Sequence, residues 1–425
     1  MTASPSPSPV WHPFTQHGLD EPIPLVTHGE GAALHTADGR RIVDAISSWW
    51  VTTHGHRHPR IMAAIAGQAE KLDQIIFAGW THEPAETLAR SLVEMMPAPL
   101  AHVFFSDSGS TSVEVALKMA LGYWANRGEP RHRILVLEHS YHGDTIGAMS
   151  VGARGVFNRA YAPLLFDVGT LPFPAPGHGQ ATLDALEAAC RDEAPDALPA
   201  ALIVEPLILG SGGMLVYEPA ILARMRAICA RHGVLFIADE VMTGWGRTGT
   251  LLACDQAGIV PDLLCLSKGL TGGSLPLAVT MATPPIFEAH HSTDRARMFF
   301  HSSSYTANPI ACAAANANLA IWSEEPVMAR IADLSARQAA RIARLARHGR
   351  VRNARRIGTI TAIELEEEAG SYLSALGPRL LAFFRERNLL LRPLGNTVYV
   401  MPPYCIDDAD LDAIYDAIAA AADGL

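Results

Sequence analysis

VLFIADEVMTGWGRTG, residues 234–249, decides the fold of this chain. An apolar run that is typical of a buried strand ends at Asp239, and glycines surround Arg247 further on. Unbroken apolar strands suit a sheet that is covered on both faces, as in parallel α/β proteins. Ligands of such sheets bind outside the carboxyl ends of the strands, so Asp239 is placed to meet one. Taken alone, an Asp at the end of a strand is equally well explained by helix capping or metal binding.

A second strand with a polar ending lies at residues 263–273, LLCLSKGLTGG. Lys268 comes just after the apolar residues and is followed by glycines, which allow a ligand to approach closely. Enclosure disfavours the ammonium form of a lysine and makes it a competent Schiff-base nucleophile. A lysine in a surface loop is the alternative for this stretch on its own.

Short apolar strands and helices alternate outward from these two segments. The patterns predict strands at 41–48, 102–105, 134–137 and 201–204, and helices at 61–72, 85–96, 111–126, 181–190, 218–232 and 308–322. This alternation predicts an α/β fold with a mostly parallel sheet. After Trp322, long amphipathic helices, a helix at 380–387 and strands at 359–365 and 398–401 predict a smaller α/β lobe.

These patterns divide the 425 residues into three parts. We predict a large domain at 48–323 and a small domain formed by 11–47 together with 324–425. The Ser/Pro-rich start, residues 1–10, is predicted to be unstructured.

Composition excludes several classes of protein. A net charge of −10 argues against a nucleic-acid partner, and the arginine-rich stretch 341–356 is interpreted as a solvated helix face. The six cysteines form no CxxC pair, so neither a disulfide framework nor a zinc site is expected. No apolar run is long enough to span a membrane, and the amino terminus does not have the pattern of a secretion signal. We therefore expect a cytosolic protein.

Lys268 and Asp239 together indicate pyridoxal 5′-phosphate (PLP) chemistry. PLP enzymes use a lysine for the Schiff base and a carboxylate that keeps the pyridine nitrogen protonated. Gly109 and Ser110 open a predicted helix and offer N–H groups to a phosphate, and Tyr141 offers a ring for stacking. A dinucleotide fold is weakly supported because no GxGxxG follows the first strand. The run His54-Gly55-His56-Arg57-His58 is interpreted as a structural loop, and no metal is predicted.

Four segments in this order resemble the class III aminotransferases, which have the type I PLP fold: SDSGSTSVEVALKMA, HSYHGDTIGAMS, IADEVMTGWGRTG and LSKGLTGG. The resemblance covers roughly residues 11–420 and implies a large domain with a mostly parallel, seven-stranded type of sheet. Three further features are typical of the members that use S-adenosylmethionine to aminate 8-amino-7-oxononanoate in biotin synthesis: WHPFT at 11–15, SSWW at 47–50 and LRP at 391–393.

The resemblance also implies a role for individual residues. Lys268, Asp239 and Tyr141 would be catalytic, with Lys268 forming the Schiff base of a ping-pong transamination. Arg392 would bind the carboxylate of the keto acid, for which a planar bidentate donor is well suited. The implied PLP-binding residues are Gly109, Ser110, Tyr141, His142, Glu205, Asp239, Val241, Lys268, Ser303 and Ser304. The implied substrate-binding residues are Trp49, Trp50, Tyr141, Ser302 and Arg392.

A homodimer with shared active sites is also implied, in which residues 301–305 reach the site of the neighbouring subunit. The chain departs from the family pattern at four positions. Phe14 stands where a Tyr is usual, Ser302 and Ser303 replace a Gly and a Pro, and Leu394 replaces an aromatic residue.

Three other functions stay open at this stage. The chain could be another class III aminotransferase that uses an ω-amino acid or lysine as donor, against which the WHP start and the Trp pair speak. It could be a PLP aminomutase or racemase on the same fold, which would need no separate acceptor. A non-catalytic binding protein would be expected to lack Lys268 or Asp239, and both are present.

Overall fold

A computed structural model describes residues 8–129, 131–191, 198–366 and 375–424. Most of the predicted unstructured tail, residues 1–7, lies outside these ranges, and residues 8–10 belong to no helix or strand. The bounds of the two predicted domains stay a prediction.

The strands are β1 (Val26–Glu30), β2 (Ala33–Thr36), β3 (Arg41–Asp44), β4 (His102–Ser106), β5 (Arg133–Leu137), β6 (Gly169–Leu171), β7 (Pro199–Val204), β8 (Ile208–Leu209), β9 (Leu215–Val216), β10 (Leu235–Asp239), β11 (Leu263–Leu266), β12 (Ala278–Ala282), β13 (Val351–Ile357), β14 (Ile360–Leu365), β15 (Leu389–Leu390) and β16 (Thr397–Val400). The helices are α1 (Ser47–Trp50), α2 (Pro59–Ala69), α3 (Glu83–Met95), α4 (Gly109–Asn126), α5 (Ile146–Ser150), α6 (Gly179–Cys190), α7 (Pro219–His232), α8 (Pro284–His290), α9 (Pro309–Glu324), α10 (Val327–Leu345), α11 (Leu376–Glu386) and α12 (Asp408–Gly424).

Seven strands form the central sheet in the order β4-β12-β11-β10-β7-β5-β6. All neighbours are parallel except that β12 runs antiparallel to both β4 and β11. The predicted α/β fold with a mostly parallel seven-stranded sheet is therefore confirmed. The sequence analysis did not predict β12, the one reversed strand.

Alternate residues of the central strands pack into two separate cores, because successive side chains of a strand point to opposite faces. On one face, Ile203 and Ile237 pack with residues of α4. On the other face, Leu202 and Phe236 pack with residues of α3, α6 and α7. Both faces of the sheet are thus covered, which explains why its strands are apolar throughout.

A third core joins the smaller sheets to the helices that follow Glu324. The sheet β13-β14-β16 is antiparallel, and β1-β2-β3-β15 forms a second small sheet. On the outside, Arg341 and Arg344 of α10 bind Asp412 and Asp416 of α12. The arginine-rich stretch is therefore partly an ion-paired seam between two helices. Within the described ranges, no helix has the length and apolar content needed to span a bilayer.

The predicted strand at 41–48 was wrong in its second half. The strand stops at Asp44, whose carboxylate accepts the backbone N–H groups of Ile46 and Ser48. Ser48 and Trp50 then adopt positive φ angles of 61° and 67°. The side chain of Asp44 competes with the strand ladder for these N–H groups and turns the chain toward the carboxyl end of the large sheet.

Candidate active site

The carboxyl ends of β10 and β11 bring Asp239 and Lys268 to one cavity. Asp239 is the last residue of β10 and lies opposite Cys265 of the parallel strand β11, while Lys268 follows the end of β11. Both side chains line a cavity of about 140 Å³. The cavity lies where a parallel sheet places its ligands.

Lys268 faces this cavity from a short turn. Its amine lies 4.6 Å from the centre of the Trp50 ring. Burial lowers the pKa of Lys268 to about 8, with Asp239 and Glu205 acting in the opposite direction. A larger share of this amine is therefore neutral near pH 7 than in an ordinary lysine, and the neutral amine is the form that attacks an aldehyde.

Asp239 is held in a fixed orientation by two neighbours. The Nδ1 atom of His142 lies 2.7 Å from its Oδ2, and the backbone N–H of Val241 donates to its Oδ1 at 3.1 Å. The Asp239 side chain is only 6% exposed. A buried, oriented carboxylate of this kind can hold a protonated ring nitrogen.

Glu205 fixes the segment that carries Tyr141. One oxygen of its carboxylate accepts the backbone N–H of Tyr141 at 3.0 Å, and the other accepts that of Gly210 at 2.9 Å. Burial raises the pKa of Glu205 to about 7, although His142 acts against this shift. Burial and the neighbouring Asp144 also raise the pKa of the Tyr141 hydroxyl above its usual range. Tyr141 therefore presents a neutral ring to the cavity.

The start of α4 closes the cavity on another side. Ser108 caps the helix through the N–H of Thr111, and the N–H groups of Gly109 and Ser110 have no partner within the helix by their position. A Cβ at Gly109 would lie 2.6 Å from Val241 Cγ1, so only glycine allows the helix and Val241 to be this close. Free N–H groups at a helix start suit a phosphate. Together with the amine and the carboxylate, these groups fit PLP.

A chain of ring contacts links Arg392 to Phe157. Phe14 packs edge-on against Trp49 with ring centres 5.6 Å apart, and against Phe157 at 6.0 Å. The guanidinium of Arg392 lies 5.4 Å from the centre of the Trp49 ring and donates to the Phe14 carbonyl at 3.1 Å. Trp50, by contrast, is buried in the wall of the Lys268 cavity and donates to the Tyr399 hydroxyl.

A second cavity, of about 290 Å³, adjoins the first. Tyr141 and Gly143 line both, and Phe157 lines the second. Of the residues in this chain of contacts, Phe157 lines the second cavity, whereas the predicted substrate-binding residues Trp49 and Arg392, and Phe14 between them, line neither.

The predicted residues Ser302, Ser303 and Ser304 are not brought to this cavity within the chain. They belong to a loop in which the Thr306 hydroxyl accepts the N–H of Ser303, and Gln74 donates to the carbonyl of Ser304. None of the three lines the Lys268 cavity. Their implied role at the site of a neighbouring subunit stays a prediction.

Gly143, Met242 and Phe157 line the two cavities and were missed by the sequence analysis. Gly143 lies inside the quoted HSYHGD motif, so the motif could have supplied it. Met242 and Phe157 carry no polar signal, and only the fold identifies them.

The predicted histidine loop has separate protein partners. His56 lies 2.8 Å from Asp44, and His58 lies 3.9 Å from Glu325. Among the residues the structure describes, no three His, Cys, Asp or Glu side chains are grouped so that they could hold a metal ion.

Comparison with known proteins gives relatives along the whole chain. This chain is 49% identical to the adenosylmethionine-8-amino-7-oxononanoate aminotransferase of Synechococcus elongatus, over 98% of each chain. The crystal structure of the enzyme of that name from Methanocaldococcus jannaschii superposes with a TM-score of 0.92 at 32% identity, over 98% of this chain and 97% of the other. A PLP-bound amine transaminase from an uncultivated Pseudomonas species gives a TM-score of 0.91 at 31% identity, over 98% of each chain.

The sequence model of the family 'Aminotransferase class-III' matches residues 14–422 of this chain. This range includes every residue that lines the two cavities. The family match, the relatives and the arrangement of Lys268 and Asp239 at the sheet edge agree. This chain belongs to the class-III aminotransferase family.

Proposed function

We propose that this aminotransferase uses PLP to move the amino group of S-adenosylmethionine to 8-amino-7-oxononanoate, which yields 7,8-diaminononanoate for biotin synthesis. One observation carries the proposal: Lys268, Asp239 and the start of α4 line a single cavity. The choice of substrates is supported by the relatives that bear this enzyme's name, which are 49% and 39% identical in Synechococcus elongatus and Nitratidesulfovibrio vulgaris.

When bound, PLP supplies an electron-accepting ring that stabilises negative charge at the reacting carbon. Gly109 and Ser110 would hold its phosphate, and Asp239 would keep its ring nitrogen protonated. Tyr141 and Val241, which both line the cavity, would enclose its ring from opposite faces. Glu205 and His142 would act through the groups they orient, Tyr141 and Asp239.

Lys268 would perform two tasks. Its neutral amine would bind the cofactor at rest. After release, the same Nζ would take a proton from the reacting carbon of the substrate and deliver it to the carbon of the cofactor that had been joined to Lys268. A pKa of about 8 suits a group that both accepts and donates a proton near neutral pH.

One pocket must accept two different molecules in turn, because the amino group stays on the enzyme between the two half-reactions. Arg392 would bind a carboxylate, and the rings of Trp49 and Phe14 would pack against either an adenosyl sulfonium or a long alkyl chain. Phe14 offers no hydroxyl to an amine, so recognition of the donor depends more on ring contacts here.

We also propose a homodimer in which residues 301–305 of each copy reach the cavity of the other. Support comes from Ser302–Ser304, which line no part of the chain's own Lys268 cavity. Trp80 and Tyr305 are 65% and 63% exposed, which is unusual for large rings and fits a covered surface. Sedimentation velocity should give twice the chain mass.

A cytoplasmic location is supported by the absence of disulfides among the six cysteines.

The absorbance of the PLP-loaded enzyme tests the donor directly. S-adenosylmethionine alone, without acceptor, should abolish the visible band at about 420 nm, because the first half-reaction consumes the aldehyde form of the cofactor. Lysine and ω-amino acids are added in parallel, and 8-amino-7-oxononanoate should then restore the band.

A loss of the band with lysine but not with S-adenosylmethionine would keep the aminotransferase and change the donor. If PLP produced no visible band in the purified protein, the central claim would be refuted.

A further inference from the structure

The turn that carries Lys268 has a conformation that needs support. Lys268–Thr271 forms one 3-10 turn, and the φ angle of Lys268 is +46°. This left-handed conformation is unfavourable for a residue with a side chain and persists only where the surroundings hold it. The groups that bind this turn therefore decide where the amine points.

Asn318 of α9 binds the turn from behind. Its side chain is fully buried, and its Nδ2 atom donates to the carbonyls of Gly269 and Leu270, both at 3.0 Å. The two acceptors require an NH₂ group, which fixes the orientation of the amide. Both N–H groups of the Asn318 amide therefore donate to the two residues that follow Lys268.

Packing leaves the turn little room to adopt another shape. A Cβ at Gly269 would lie 2.8 Å from Cβ of Trp245, and one at Gly272 would lie 2.7 Å from Cδ1 of Ile61. The turn is therefore packed closely against Trp245 at one end and Ile61 at the other, and Asn318 adds hydrogen bonds to two of its carbonyls. Loss of those bonds would leave the Leu270 carbonyl without a donor and the Gly269 carbonyl with only the N–H of Gly272, which lies 3.0 Å away. Rotation of the peptide is the simplest way for the Leu270 carbonyl to find another donor.

We propose that Asn318 is a positioning residue of the transamination, which holds the Lys268 turn so that the amine faces the cavity. This inference rests on the proposed role of Lys268. Asn318 lines neither of the two cavities and would act only through the turn.

A shape-conserving variant and a matched control on the same helix test this. Asn318→Leu keeps a similar volume and removes both donors. Asn316→Leu is the control, because Asn316 also lies on α9 and donates to a backbone carbonyl, that of Pro84 at 2.9 Å, on another side of the helix. Asn318→Ser is a smaller second variant that cannot reach both carbonyls.

The first readout is the rate at which the protein without cofactor captures PLP, followed by the visible band. The second is the split between kcat and the KM for S-adenosylmethionine. In Asn318→Leu, the capture rate and kcat should both fall by about 10- to 100-fold, because the amine is misplaced. The KM should stay within about twofold, since the substrate contacts are untouched. Asn316→Leu should capture PLP at close to the wild-type rate even if its thermal unfolding midpoint is lowered.

A wild-type capture rate in Asn318→Leu would overturn the inference, and a wild-type rate in Asn318→Ser would do so if the leucine variant does not fold. An equal loss of capture in Asn316→Leu would also overturn it, because a general weakening of α9 would then explain both. Lys268→Ala is included to separate the two claims. Capture by that variant at the wild-type rate would instead refute the proposed role of Lys268.

Discussion

The two ends of the large sheet each hold an aspartate of low exposure, 20% at Asp262 and 6% at Asp239, and the two carboxylates have different partners. Asp262, at the amino end of β11, forms an ion pair with Arg226 at 3.0 Å and accepts the N–H of Phe236 at 2.8 Å. Asp239, at the carboxyl end of β10, has an imidazole and one backbone N–H as partners and faces a cavity. At the amino end the protein supplies the counter-charge, whereas at the carboxyl end that place is open to a ligand.

The partners of the two carboxylates, and not their residue type, separate a stabilising carboxylate from a functional one. Both are aspartates of the same sheet, and both are mostly buried. What distinguishes them is whether a guanidinium satisfies the charge from within the chain. Substitutions at the two ends should therefore affect different measurements.

The largest effect is expected for Asp239→Asn. The amide keeps the shape of the side chain but removes the charge that would hold the ring nitrogen protonated. The single-turnover rate with S-adenosylmethionine should fall by about 10²- to 10³-fold, as for the loss of one preorganised electrostatic partner. Asp262→Asn is the matched control. It should leave that rate within about threefold and lower the free energy of unfolding by about 1–3 kcal/mol, measured by denaturant titration. Equal rate losses in the two variants would erase the distinction between the two ends.

Arg392→Ala tests the outer part of the carboxyl end. A charge-assisted bond to a carboxylate contributes about 1.5–3 kcal/mol, so the KM for 8-amino-7-oxononanoate should rise by about 10- to 100-fold. Arg387 is a suitable control, because its guanidinium also stacks on a ring, that of Phe383 at 3.5 Å. Arg387→Ala should leave this KM unchanged. An unchanged KM in Arg392→Ala would remove the carboxylate-binding role.

Glu205→Gln tests the second acid at the carboxyl end. Burial raises the pKa of Glu205 from 4.5 to about 7, so its protonated form is favoured in the folded protein. This contribution to stability is complete below pH 4.5 and is lost as the pH rises to about 7, by up to about 3 kcal/mol. The difference in unfolding free energy between wild type and variant, both without PLP, should change across that pH window. A difference that is constant from pH 4.5 to 8 would show that Glu205 is ionised throughout.

The smallest effect is expected at the ion pairs that lie far from both ends of the sheet. Arg341→Ala removes the bonds to Asp408 and Asp412 on α12. Because the aspartates are largely exposed, the thermal midpoint should fall by no more than about 2 °C, with unchanged activity. The fall should shrink further in about 0.5 M NaCl. A large, salt-independent loss would show that this seam contributes far more than its exposure indicates.

The sequence was sufficient for the features that depend on local pattern. Five of the seven strands of the central sheet, β4, β5, β7, β10 and β11, could be predicted because apolar runs ended at polar residues, and the same endings singled out Asp239 and Lys268. The strand β12, with the sequence AVTMA, was missed because its pairing with β4 and β11 is a long-range property.

The other gaps also come from contacts that the periodicity of the sequence does not show. The strand predicted at 41–48 failed because the carboxylate of Asp44 binds the N–H of Ser48, a choice between two local partners that periodicity does not show. Asn318 lies 50 residues beyond Lys268 and reaches its turn only in the folded chain. Residues 301–305 line no part of the Lys268 cavity of their own chain, and their proposed role in a second copy of the chain is one that no local pattern describes.

The reversed strand β12 has a consequence for redesign. Because β11 and β12 are antiparallel neighbours, the segment from Ser267 to Leu277 is anchored to the sheet at both of its ends. The position of the Lys268 amine therefore depends on the register between β11 and β12. A slip of β11 by one residue would displace the amine by about 3.3 Å and turn alternate side chains to the wrong face of the sheet. Insertions and deletions in this short bridge should be among the least tolerated in the chain. Substitutions that aim to widen the substrate range should instead be made near Phe157, which lines the second cavity and lies outside both strands.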